Sequence, residues 1–190
     1  MNTKEQLLLK FRRLQTIFSV IFFFFVLVFF LIVTEFNIQK IQISQWGMME
    51  DLGWIFNYGL ILVSLSTFFN VFFYIKNHNR IHHKNLMYFL FATVSFLLFL
   101  VGLFPVEVNP SIHNFSAFSY FFTYPLSIFL LSHLNRKNII YKEWITHLTT
   151  SSMMIVIPLF FVSIFEGKAI SEIIHTLFVM FWNVRILIKN

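Results

Sequence analysis

The chain has 190 residues, 58% of them hydrophobic and 12% charged, against roughly 25% charged in an ordinary soluble domain. That balance excludes a water-soluble core-and-shell domain, and the absence of cysteine excludes disulfides, thiolate catalysis and cysteine-ligated metals. The net charge of +6 does not point to nucleic acid, because the basic residues sit between apolar runs, where they set topology.

Residues 1–15 are basic and amphipathic, with Lys4, Lys10, Arg12 and Arg13 around Leu7-Leu8-Leu9. The stretch reads as a cytoplasmic flank to the first helix; an interfacial helix that senses anionic lipid is the alternative. The first apolar run, 16–34, has no small-residue cleavage site after it, so it reads as a span rather than a cleaved leader. In residues 35–52, Ile38, Ile41 and Ile43 alternate with polar residues, and Trp46-Gly47 follows. This predicts an extended or interfacial segment with Trp46 at headgroup level. Glu50 and Asp51 precede Gly53, which suits the positive end of a helix dipole.

The second helix, 53–75, carries Asn57, Ser64, Ser66, Thr67 and Asn70, expected to bond to neighbouring helices. The loop that follows holds His78, His82 and His83 among basic residues, and reads as a solvated, positive-inside loop. The third helix, 86–104, and the fourth, 112–134, flank Gly102-Leu-Phe-Pro105, Glu107 and His113-Asn114. Pro125 lies inside the fourth helix and Pro158 inside the fifth, 144–165; each frees a backbone carbonyl. The sixth helix, 170–188, follows Glu166 and carries Glu172 and His175 near its start.

Twelve of the fourteen Lys and Arg residues fall in the amino-terminal flank, loops 76–85 and 135–143, and the carboxy-terminal end; six of the eight acidic residues fall on the other side. The asymmetry predicts both termini inside. The expected fold is all-α: a polytopic integral membrane protein, one domain over 1–190, with six helices in one bundle, in the inner (cytoplasmic) membrane. His113, Asn114, Glu107, His175, Glu172 and Glu166 come to one depth on the outer side and form the candidate polar cluster. Two imidazoles beside carboxylates are the ingredients of acid–base work or metal ligation. No His-Glu-x-x-His or Gly-x-Ser-x-Gly motif is present, and the reading names no metal, no cofactor and no catalytic residue.

Gly102-Leu-Phe-Pro105, an acidic residue, then His113-Asn114 opening a helix with Ser116 and Ala117, resembles the hallmark of a six-helix prokaryotic family, domain of unknown function 998. That family is similar to the eukaryotic Frag/DRAM/Sfk membrane proteins. The resemblance in helix number and order covers nearly the whole chain; the motif covers 102–117. It implies a membrane protein without an agreed activity, and by analogy lipid remodelling or membrane stress. The first loop departs from it, since it reads as interfacial. The expected function is therefore a non-enzymatic membrane protein whose outer polar cluster meets membrane lipids or a membrane partner. The alternative is an intramembrane lipid-modifying enzyme using the outer His and carboxylate groups. A further alternative is an oligomeric effector or pore subunit. Nucleic acid is not an expected partner.

Overall fold

A helix in lipid satisfies its own backbone, so long apolar runs without breakers become helices there. The computed structural model describes residues 3–34, 42–165 and 167–188. Its six helices are α1 (Thr3–Val33), α2 (Gly53–Asn77), α3 (Lys84–Leu103), α4 (Pro110–Leu134), α5 (Tyr141–Ile164) and α6 (Ala169–Ile188). All six contain a stretch long and apolar enough to cross a membrane. The protein is an all-helical, polytopic membrane protein among its described residues.

Each helix packs against the next in sequence, and α6 returns to meet α1 and α2, which closes the bundle. The end bearing Lys10, Lys76 and Arg136 is called the basic end below; the end bearing Glu107 and Lys168 is the acidic end. The lipid-facing surface is phenylalanine-rich, with Phe18, Phe25, Phe89, Phe115, Phe118 and Phe122 each more than half exposed. The interior holds Phe23, Phe30, Phe56, Phe91, Tyr124 and Trp182, with Trp182 stacked on Phe91 at 5.3 Å.

Helix α1 begins thirteen residues before the expected start at 16, because nothing in its first turns breaks a helix. Its buried seam runs Arg12, Thr16, Ser19, Phe23, Val26 and Phe30. Those steps of three and four keep one face turned inward, and they carry the seam into the basic flank as far as Arg12. Helix α4 starts at Pro110, capped by Asn109, whose side chain accepts from the Ile112 N–H at 3.0 Å.

The segment after α1 differs from expectation where it is described. Residues Ile43–Met48 form one 3₁₀ turn, not an extended strand. Trp46 is packed into the protein: it is 1% exposed and stacks on Phe30 at 5.4 Å, with Phe56 edge-on at 5.8 Å. The turn folds back because Gly47 and Gly53 allow two backbones to touch. A Cβ on Gly53 would collide with the Gly47 carbonyl, and the Asn57 amide donates to that same carbonyl at 3.1 Å. The alternating residues Ile38 and Ile41 lie outside the described residues. The 3₁₀ turn thus plugs the acidic end between α1, α2 and α6.

Candidate functional site

His113 stands in the first turn of α4, beside the end of α3. Its Nδ1 is 2.9 Å from the carbonyl oxygen of Phe104, the C-cap of α3. A carbonyl only accepts, so Nδ1 carries the hydrogen and donates. The last carbonyls of a helix have no intrahelical donor, and Pro105 removes one more, the donor to Val101. The Gly102-Leu-Phe-Pro105 to His113 motif is therefore a clamp between consecutive helices: the chain leaves α3 at proline, and histidine satisfies the carbonyl that caps α3.

His175 repeats this arrangement on α5 and α6. Pro158 has no N–H for the Met154 carbonyl, and His175 Nδ1 reaches that oxygen at 3.3 Å. The Ser171 hydroxyl donates to the Pro158 carbonyl at 2.9 Å. The ring packs edge-on against Phe121 at 4.6 Å and Tyr120 at 5.7 Å. His175 is 1% exposed, and its Nε2 is buried without a hydrogen-bond partner. A neutral ring that donates at Nδ1 presents a lone pair at Nε2.

Glu172 lies between the two histidines. It lines an internal cavity with His113 and Ser44, and also a larger groove with His175. Its Oε2 accepts from the Ile43 N–H at 2.8 Å, which pins the 3₁₀ turn to α6. The groove, about 380 Å³, runs between α4 and α5; its polar end is Lys168, Ser171, Glu172 and His175. Its apolar walls include Phe118, Phe122, Leu159 and Val162, all exposed on the lipid-facing side. Among the described residues no hydrogen bond joins the two imidazoles; Tyr120 and Phe121 line the cavity beside His113 and pack on His175. Asn114 and Glu107 are exposed and line neither space, and Glu166 lies outside the described residues.

Two polar networks lie outside the candidate cluster; the first bears out the expected bonding of Thr67 and Asn70 to a neighbouring helix, and the second escaped the sequence reading. At mid-depth, the Asn183 amide donates to the Thr67 and Tyr124 hydroxyls, each at 3.1 Å, while Asn70 donates to the Asn183 carbonyl at 2.7 Å. At the basic end the Tyr74 hydroxyl donates to Glu143 Oε1 at 2.6 Å and lies 3.1 Å from His147 Nε2. Trp182 donates to His147 Nδ1 at 3.0 Å, and His78 Nε2 lies 3.4 Å from Glu143 Oε2. His78 is thus half-buried against a carboxylate rather than solvated; His82 and His83 are exposed. The available signal was the i, i+4 spacing of Glu143 and His147, which puts an acid and an imidazole on one helix face. Among the described residues, no group of three or more His, Cys, Asp or Glu is arranged to hold a metal.

No curated protein and no solved structure matches the chain. The family model described as "Protein of unknown function (DUF998)" matches residues 16–188, which include all six apolar runs and the helix clamp. The chain is therefore a six-helix membrane protein that belongs to the DUF998 family.

Proposed function

We propose that the protein holds a phospholipid at its acidic end, with one acyl chain in the α4–α5 groove and the headgroup at Lys168 and His175. The observation that carries this reading is the buried, unpartnered Nε2 of His175 at the polar end of a lipid-facing apolar groove. A buried polar atom without a partner costs about 1–3 kcal/mol, and a hydroxyl donor from the headgroup removes that cost. Lys168 is exposed at the rim and supplies a cation for a phosphate. The groove's volume falls within the range of about 300–1,000 Å³ usual for small-molecule sites.

In a bilayer, an acyl chain leaves lipid to enter the groove, so the hydrophobic gain is small. The headgroup contacts therefore set the preference. They favour an anionic phospholipid whose headgroup carries hydroxyls. The charge asymmetry supports a reading in which this end lies on the outer side of a cytoplasmic membrane and the ends of α1 and α6 that bear Lys10 and Arg185 lie inside.

Native mass spectrometry of the full chain tests this with phosphatidylglycerol and phosphatidic acid of matched acyl chains. Phosphatidylglycerol is expected to be retained more strongly. His175→Leu removes the lone pair and is expected to abolish the difference, while Lys168→Gln weakens retention of both. Equal retention of the two lipids by the unaltered protein overturns the proposal.

A further inference from the structure

Arg12 is a buried cation at the opposite end, and its side chain lacks a hydrogen-bond partner. It is 1% exposed, and none of its three guanidinium nitrogens has a hydrogen-bond partner. The heptad-like seam of α1 turns it inward, in phase with Thr16, Ser19 and Phe23. Among the described residues its neighbour is an aromatic face: Cζ lies 5.6 Å from the centroid of Phe73. A cation–π contact compensates only part of the desolvation of a buried cation. Guanidinium is also the group whose fixed fork of donors matches phosphate oxygens in pairs.

The side chain forms part of the wall of a groove between α1 and α2, about 290 Å³ in volume. The rest of the wall is Phe11, Gln15, Phe68, Phe69, Phe72 and Phe73. Phe68, Phe69 and Phe72 are about two-fifths exposed, so the groove opens on the lipid-facing side. Arg12 lies two residues inside Lys10, and Phe73 four residues before the end of α2 at Asn77. At about 1.5 Å per residue, the guanidinium is within roughly one turn of the bundle's end, the level of glycerol and phosphate. Exposed Lys10, Arg13 and Lys76 surround that end with positive charge.

We infer that Arg12 is a binding site for the phosphate of an anionic phospholipid in the leaflet at the basic end, with an acyl chain in the phenylalanine groove. The guanidinium nitrogens are covered, so the phosphate reaches them as the half-buried Phe73 ring swings aside. Arg12 offers donors only and Gln15 is the one wall side chain that accepts from a hydroxyl, so headgroup charge sets the site's preference. That separates it from the acidic-end groove. A lipid is favoured over an acidic partner helix because the space is only about 290 Å³, is walled mainly by phenylalanine, and has Arg12 and Gln15 as its polar wall groups.

The test uses the full chain with an indole introduced by Phe69→Trp, a change at a partly exposed position. Vesicles contain brominated phosphatidic acid or brominated phosphatidylcholine, and the indole's quenching is taken against the parent protein. Phosphatidic acid is expected to quench at least twofold more than phosphatidylcholine at equal content. Arg12→Gln is expected to erase that difference, and Arg12→Lys to retain part of it. His175→Leu is expected to leave it unchanged, which keeps failure of this site distinct from failure of the acidic-end site. If Arg12→Gln fails to fold, the comparison of the two lipids with Arg12 intact still decides. Equal quenching by both lipids, or a difference that survives Arg12→Gln, overturns the inference.

Discussion

The most exposed wager at the residue scale is the His113 clamp. Its ring donates to the carbonyl that ends α3, and Pro105 frees a further carbonyl beside it. His113→Ala is expected to lower stability by about 1–2 kcal/mol, the range for a buried carbonyl left unsatisfied. His113→Asn keeps a donor and is expected to recover part of the loss, read as the thermal midpoint in detergent. No recovery with Asn would mean that packing, not the donor, matters at this position. The Tyr74 hydroxyl serves both Glu143 and His147. Interhelical hydrogen bonds in membranes average about 0.6 kcal/mol, but this hydroxyl serves a buried carboxylate. Tyr74→Phe is therefore expected to cost about 1–3 kcal/mol. A loss below about 0.5 kcal/mol would show that Glu143 is satisfied by its other contacts. The sequence exposed His113 because it opened a run next to a proline. It did not expose Tyr74 or Trp182, since an aromatic residue in an apolar run looks like core until its hydroxyl or indole N–H has a partner.

At the scale of the element, the two proline-bearing joints make separate predictions. Pro158 leaves the Met154 carbonyl to His175. Pro158→Ala restores the intrahelical N–H, which competes with His175 for that oxygen. The expected outcome is unchanged or raised thermal stability with weaker retention of phosphatidylglycerol. Unchanged retention would show that the carbonyl freed by Pro158 has no part in the groove. Gly53 matters for a different reason: any side chain there strikes the Gly47 backbone. Gly53→Ala is expected to cost about 1–3 kcal/mol as overpacking and to open residues 42–52 to protease. Resistance equal to the unaltered protein would count against the docked turn. Helix number and order were legible because apolar runs of span length admit one solution in lipid. The start of α1 was not, since a basic flank and a helix end look alike without the seam's partner. Nor was the burial of Trp46, which depends on two glycines letting a loop fold back onto α1 and α2.

For the whole molecule, the charge asymmetry predicts which end faces the cytoplasm. Reporter fusions after Asn79 and Asn138 are expected to read inside, and those after Pro110 and Lys168 outside. An outside signal at Asn138 would reverse both proposed lipid sites between the leaflets. Depth along each helix could be read from sequence, which is why His113, His175 and Glu172 were gathered at one end. Rotation about each helix could not, which is why Asn114 was gathered with them although it is exposed; Glu107 lies in the turn between α3 and α4 and is exposed as well. The three-helix meeting of Tyr74, Glu143 and Trp182 needs the closed bundle, where α6 returns to α2, and no local pattern announces it. The central claim is that a phospholipid occupies the acidic-end groove, and photo-crosslinking tests it most directly. The unaltered protein in vesicles with phosphatidylglycerol bearing a photoreactive acyl chain is irradiated, and labelled positions are mapped. The account predicts labels concentrated at 118–122 and 155–162, at least severalfold above the equally exposed α3 positions Phe89 and Phe96, and reduced by His175→Leu. Labels no denser at 118–122 and 155–162 than at Phe89 and Phe96 would contradict it.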